Sequence, residues 1–356
     1  RAYAPVVNIV GDHARDHIKL DAPLTSDAAG VCRPMSRWVG CVADASQVST
    51  MAVEAVQQSY GPERGVASLI LPADCAWSDA EPSVIEAQLG YFGEQALEEL
   101  GATDLLVIAG SKPPVAFFAY PDQPGELTPP GARTEILAGP ADDVIAGLQA
   151  VAEALCSGQT EPDLPAQSQA PKLSPDEPLN PGYVGISLLR HMPEDSIICD
   201  DATTSGMGVF PWIEHGPRHD WLCLTGGAIG SGMPQAIGAA MACPDKQVFA
   251  LCGDGAAAYT LQALWTQARE KLDVINIVFA NHSYLVLNVE LARVGAGDPG
   301  PAAQQMLSLD NPKMDWVKLA EGFGVPGQTA RTAGEFDSAL ARALAAGGPQ
   351  MIVAEI

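Results

Sequence analysis

Gly253-Asp254-Gly255 closes one apolar run, Gln247–Cys252, and Asn281-His282-Ser283-Tyr284 closes another, Val274–Ala280. An acidic residue between two glycines at a strand's carboxyl end lies where open α/β sheets bind ligands. Ala256, Ala257 and Ala258 follow and are expected to start a helix whose free N–H groups face a phosphate. Carboxylate and phosphate repel each other, and a divalent cation between them removes the conflict. Mg²⁺ takes oxygen ligands and is commonly shared between a carboxylate and phosphates. From Asp254 to Asn281 is 27 residues, room for a helix and a strand and hence for one βαβ crossover. Asn281 offers a carboxamide oxygen and Ser283 a backbone carbonyl. With Asp254, phosphate oxygens and a water they fill an octahedral shell, so the spacing points to a metal–diphosphate site.

Such a site needs strands to set it in place. Apolar runs at Val6–Val10, Val66–Leu71, Leu105–Ile108, Glu135–Leu137, Ser196–Cys199, Gln247–Leu251, Val274–Ala280 and Met351–Ala354 read as strands. Between them Ser46–Ser59, Ile85–Leu100, Ala141–Cys156, Gln235–Cys243, Leu261–Lys271, Met314–Gly322 and Ala333–Ala346 read as amphipathic or small-residue helices. Strand and helix in alternation, with nearly all-apolar strands, give an α/β fold of parallel sheets covered on both faces. Gly226-Gly227-Ala228-Ile229-Gly230-Ser231-Gly232-Met233-Pro234 forms a glycine-dense turn ahead of one helix. It lacks the GxGxxG spacing, and alone it reads equally as a tight corner or a ligand loop. Ser157–Pro181 is dense in Pro, Gln, Ser, Asp and Glu and reads as a linker.

Composition excludes other classes. The 356 residues carry 19 Lys and Arg against 43 Asp and Glu, a formal net charge of −24, which repels nucleic-acid backbones and anionic lipid. No run is long and apolar enough for a transmembrane helix, and no secretory signal opens the chain. Eight scattered cysteines without a CxxC pair fit a reducing, cytoplasmic setting.

These words carry a resemblance. Residues 183–356 look like the diphosphate-binding domain of thiamine-diphosphate enzymes of the acetolactate synthase and benzoylformate decarboxylase group. The matching residues are Gly226–Pro234, Gly253-Asp254-Gly255, the helix Leu261–Arg269 and Asn281–Tyr284. Val7–His13 and Leu71-Pro72-Ala73-Asp74 resemble the end of the family's pyrimidine-binding domain. The resemblance implies four regions: 1–80, the C-terminal part of a pyrimidine-binding domain; 81–156, a reduced central domain; 157–182, a linker; and 183–356, the diphosphate and Mg²⁺ domain. It implies thiamine diphosphate and Mg²⁺ as cofactors; FAD is not supported. Asp254, Asn281 and Ser283 resemble the metal ligands, with Gly253, Gly255, Ala256, Ala257 and Tyr284 around them. Thr203 and Thr204 fall where the family hydrogen-bonds the diphosphate. Ile229 aligns with the apolar wedge between the cofactor's rings, and Gly227 offers its carbonyl to the 4′-amino group.

The implied activity is decarboxylation or carboligation of a small 2-oxo acid, acetolactate-synthase-like, in a homodimer or homotetramer. The alternatives are a benzoylformate-type decarboxylase and a non-catalytic cofactor-binding or assembly subunit. The last arises because the family's activating glutamate would precede Arg1 and nothing in this chain replaces it. Catalytic residues are accordingly unassigned, with Glu290 and His282 as candidates. His13 and His17, four apart, lack the rest of a zinc motif. Tyr259, Trp265 and Trp316 read as core. Asp200-Asp201 either shapes the diphosphate pocket or forms an exposed acidic turn.

Overall fold

The computed structural model describes residues 6–12, 26–43, 48–59, 65–72, 100–101, 103–109, 113–115, 124–139, 143–156, 168–224, 227–293 and 299–356. His13, His17, Gly226 and most of the expected helix Ile85–Leu100 lie outside them. The chain divides into two compact units, with Pro162–Ile356 in the second.

The first unit carries two parallel sheets. One has strands β1 (Val6–Asp12), β2 (Trp38–Cys41) and β3 (Val66–Pro72) in the order β1-β3-β2, with helices α1 (Ala28–Cys32) and α2 (Val48–Ser59). The other pairs β4 (Leu105–Ala109) with β5 (Arg133–Ala138), and helix α3 (Val144–Cys156) follows.

The second unit is a six-stranded parallel sheet. In chain order it runs α4 (Pro181–His191), β6 (Ser196–Asp201), α5 (Gly206–Ile213), β7 (His219–Leu222), α6 (Gly232–Ala242), β8 (Val248–Gly253), α7 (Asp254–Thr260), α8 (Ala263–Glu270) and β9 (Val274–Ala280). Then come α9 (Leu285–Arg293), α10 (Pro301–Leu307), α11 (Trp316–Gly322), β10 (Gly327–Ala330), α12 (Ala333–Ala346) and β11 (Gln350–Glu355). The sheet order is β10-β11-β9-β8-β6-β7. From β6 the chain steps outward to β7, then returns to the other side of β6 to lay down β8. The β6/β8 gap is therefore a topological switch point, where crevices form at the carboxyl ends of strands.

Two apolar layers explain why β8 and β9 are apolar at almost every position. Phe249, Leu251, Ile275, Ile277 and Phe279 point into one core with Val209, Ile213, Phe336 and Leu340. Their neighbours Val248, Ala250, Cys252, Val274, Val278 and Ala280 point into another with Met233, Ala236, Leu264 and Trp316. A strand covered on both faces loses the polar alternation of a half-exposed one. Asn276 is the exception in β9. Its amide and that of Gln267 satisfy each other at 2.7 and 3.1 Å, fully buried.

Several expectations need correction. Residues 168–182 of the expected linker are tied to the second unit by Leu179 N–H to Arg331 O at 2.9 Å and Ala333 N–H to Glu177 O at 3.0 Å. Leu179 is buried in the first of the two cores, and Asn180 caps α4 through the Tyr183 N–H, with Pro181 in the first turn. Tyr259 and Trp265 are 60% and 52% exposed, so of the three expected core aromatics only Trp316 is one. The Arg269 guanidinium lies 4.8 Å from the Trp265 ring centre. Helix α7 starts at Asp254 itself, two residues earlier than expected. Among the described residues no helix is long and apolar enough to cross a membrane.

Candidate functional site

Three adjacent strands, β6, β8 and β9, end side by side and deliver Thr203, Asp254 and Asn281 to one edge of the sheet. The register fixes this placement, because Gly253 pairs with Phe279 and Asp201 with Cys252. Asp254 is 1% exposed. Its Oδ1 accepts the Gly255 N–H at 2.9 Å and its Oδ2 accepts the His282 N–H at 2.7 Å. Burial pushes its carboxyl above the ordinary range, while these hydrogen bonds pull the other way.

The loop after β9 is held from several sides. Asn281 Oδ1 accepts the Ser283 N–H at 2.9 Å, closing a local turn. His282 between them has φ +54°. Residues 307–309 lie across the loop. Leu309 N–H donates to the His282 carbonyl at 2.7 Å, and the Leu307 carbonyl accepts from Tyr284 N–H at 2.9 Å and Ser283 Oγ at 3.2 Å. Asn288 of α9 donates to Ser283 Oγ at 2.9 Å. The Tyr284 ring packs on Gly255 so closely that a Cβ there would sit 2.6 Å from it. Asp254, Gly255, Asn281, Ser283 and Tyr284 are thus brought together at the ends of β8 and β9.

Beyond β6, Thr203 adopts φ +49°, unusual for a β-branched residue. Its hydroxyl lies 3.9 Å from where a Cβ on Gly253 would stand. Backbone strain of this kind clusters at ligand sites. Thr204 follows in the same turn. Gly227 is exposed with φ +70°, and Ile229 is half-buried. Glu290 lies in α9, about 8 Å along the helix axis from Leu285.

Asp201 was ambiguous in the sequence, and its burial at 1% exposure rules out an exposed turn. Its Oδ2 accepts N–H bonds from Gly230 at 2.8 Å and Gly232 at 3.0 Å, which fastens the glycine turn to the end of β6. Among the described residues its Oδ1 is buried without a hydrogen-bond partner. Nothing in the local pattern signals this pairing across 29 residues. Gly232 packs against the same residue, and a Cβ there would lie 2.7 Å from Asp201 Cβ and 2.9 Å from Cys252 Sγ. Gly232→Ala is expected to cost about 2 kcal/mol by overpacking, read from urea unfolding.

Burial also raises neighbouring acids. Asp200 is pushed up from 3.8 to about 6, mainly by desolvation, with the adjacent Asp201 adding to it. Asp201 is raised as well, again by burial. A carboxyl whose pKa is higher folded than unfolded contributes stability below its unfolded value and loses it as pH rises through the folded value. The chain without ligand is therefore expected to melt at progressively lower temperature as pH rises from about 4 through 6. Asp200→Asn should flatten that slope and add up to about 3 kcal/mol at pH 8, since each pKa unit corresponds to about 1.4 kcal/mol. Melting curves between about pH 4 and 8 check both. Cys199, pushed up to about 12 by the same burial, is an inert core thiol.

The donor set suits a hard cation bridging to a phosphate better than an all-protein metal cage. Among the described residues no group of three or more His, Cys, Asp or Glu side chains is placed to hold a metal. One buried carboxylate, a carboxamide and a backbone carbonyl leave coordination positions for phosphate oxygens and water, as Mg²⁺ favours. The residues present fit such a group.

Residues 201–354 match the family described as "Thiamine pyrophosphate enzyme, C-terminal TPP binding domain". The chain is 36% identical over 424 aligned residues to the Mycobacterium tuberculosis protein named "Putative acetolactate synthase large subunit IlvX", covering 99% of this chain and 81% of that one. The alignment exceeds this chain's 356 residues by 68, so at least that many positions of the relative face gaps here. Benzoylformate decarboxylase of Pseudomonas aeruginosa is 29% identical over 71% of this chain and 48% of its own length. Among solved structures, the thiamine diphosphate-dependent 4-hydroxybenzoylformate decarboxylase of Rhodococcus jostii RHA1 superposes with a TM-score of 0.72 at 22% identity, covering 99% of this chain and 82% of that one.

Proposed function

Because the chain belongs to the thiamine-pyrophosphate-dependent enzymes, we propose that it binds thiamine diphosphate through Mg²⁺ and acts on a small 2-oxo acid in the manner of an acetolactate synthase. The observation that carries this is the buried Asp254 carboxylate joined at 2.7 Å to the loop after β9, with Thr203 at the end of the neighbouring strand.

Asp254, Asn281 and the Ser283 carbonyl would hold the cation. Thr203, Thr204 and the N–H groups at the start of α7, over Gly255, Ala256 and Ala257, would bond the diphosphate oxygens, with Gly253 leaving room for their approach. Ile229 would fill the bend of the cofactor and Gly227 would present its carbonyl to the amino group. When bound, the cofactor supplies an electron sink for the pair released as CO₂ leaves a 2-oxo acid. Burial of Asp254 keeps its charge in a low-dielectric setting, where it attracts a cation more strongly than an exposed carboxylate does. A net charge of −24 is no obstacle, because the metal offsets the repulsion of the diphosphate.

The same reading takes the protein as cytoplasmic and as a homodimer or homotetramer. The exposed Met241, Tyr259 and Trp265 favour self-association. Acetolactate chemistry is preferred over simple decarboxylation because the IlvX likeness spans nearly the whole chain while the benzoylformate decarboxylase likeness covers less of it. The test is product analysis with thiamine diphosphate, Mg²⁺ and either pyruvate or benzoylformate. Acetolactate from pyruvate is the expected result. Aldehyde and CO₂ alone identify a decarboxylase, and cofactor binding without turnover identifies a non-catalytic subunit.

A further inference from the structure

We infer that Glu355 and Lys313 are positioning residues that clamp the loop carrying Asn281 and Ser283 by gripping the ring of His282. The clamp rests on the proposed cation site and adds to it two residues distant in sequence. β11 runs beside β9, with Glu355 paired to Ala280, so the Glu355 carboxylate stands next to the last residue before Asn281. From there Glu355 Oε2 accepts a hydrogen bond from His282 Nε2 at 3.2 Å and one from Lys313 Nζ at 3.0 Å.

His282 is thereby held at three points. Its N–H goes to Asp254, its carbonyl accepts from Leu309, and its ring is bound to Glu355. Its φ of +54° is a conformation that an L residue adopts only when its surroundings impose it. Rotation at this one residue redirects both neighbours, the Asn281 carboxamide on one side and the Ser283 carbonyl on the other. The ring contact therefore helps select the backbone conformer that His282 adopts between Asn281 and Ser283. Lys313 closes the arrangement from the segment 307–313 that also lies across the loop, and its charge offsets that of Glu355. Outer groups of this kind orient metal ligands without touching the metal.

Two readouts test the clamp. Without any cofactor, Glu355→Gln and Lys313→Met should speed amide hydrogen exchange of the 281–284 segment, where His282 donates its N–H to Asp254. In Mg²⁺ titrations with thiamine diphosphate present, the same variants should weaken the apparent Mg²⁺ affinity by about tenfold. The distinguishing arm is a double-mutant cycle: in a His282→Asn background, Glu355→Gln should weaken affinity no further. Unchanged exchange and affinity overturn the inference, as does an equal loss in both backgrounds, which would mark Glu355 as a general support of β11. Wild-type binding with unaltered Glu355→Gln affinity overturns this inference alone. No binding by the wild type overturns the cofactor reading with it.

Discussion

Asp254→Ala is expected to abolish Mg²⁺-dependent binding of thiamine diphosphate, with an affinity loss above the roughly 10–100-fold that follows changes to groups behind a metal ligand. The loss of binding should exceed the effect on folding, because two contributions oppose each other there: the Gly255 and His282 N–H groups lose their acceptor, and a desolvated charge is removed. Asp254 is a buried carboxylate held above its ordinary pKa range by desolvation, so its ionised form is a net cost to the fold at neutral pH. Asp254→Asn makes the separation sharper. The amide keeps an acceptor oxygen for a backbone N–H and removes the buried charge. That variant should melt no lower than the parent without ligand while losing most of the cation affinity. Calorimetry and melting curves on the two variants give both quantities. A variant that folds as well as the parent and binds as well would remove Asp254 from the site.

The second large effect belongs to Asp201. In Asp201→Ala the Gly230 and Gly232 N–H groups lose their acceptor in a buried setting. Each orphaned donor costs about 1–3 kcal/mol, and removal of a desolvated charge returns part of it. The expected net loss is about 3 kcal/mol, or a fall of roughly 6–12 °C in Tm for a unit of this size. The turn from Gly227 to Gly232 should loosen with it, so cofactor affinity falls alongside stability. This coupling distinguishes Asp201→Ala from Asp254→Asn, where binding is lost and stability kept. Asp201→Asn, with one acceptor oxygen retained, should recover most of the loss.

The contrast between these residues also shows what a sequence can reveal. Asp254 and Asn281 were legible because each directly follows an apolar strand, and strands buried on both faces are the plainest pattern in an α/β chain. β8 and β9 stand out for that reason. β7 and β10, only four residues each at the sheet edges, mix polar with apolar side chains and leave no such trace. The start of α4 was hidden because Pro181 and Asn180, which cap it, belong to the same polar composition as the linker before them. In the sequence Asp201 is legible only as one of two alternatives and Glu355 not at all, because their partners lie 29 and 73 residues away. Such pairings depend on strand order, which periodicity does not encode. Tyr259 and Trp265 read as core from the sequence for a related reason, since aromatic residues at helical positions look like core whether or not another surface covers them.

The most direct test of the account is calorimetric titration of thiamine diphosphate into the wild-type chain with and without Mg²⁺. Saturable binding that requires Mg²⁺ and disappears in Asp254→Ala is the predicted result. Binding that is absent with Mg²⁺, or equally strong without it, would contradict the proposed metal–diphosphate site.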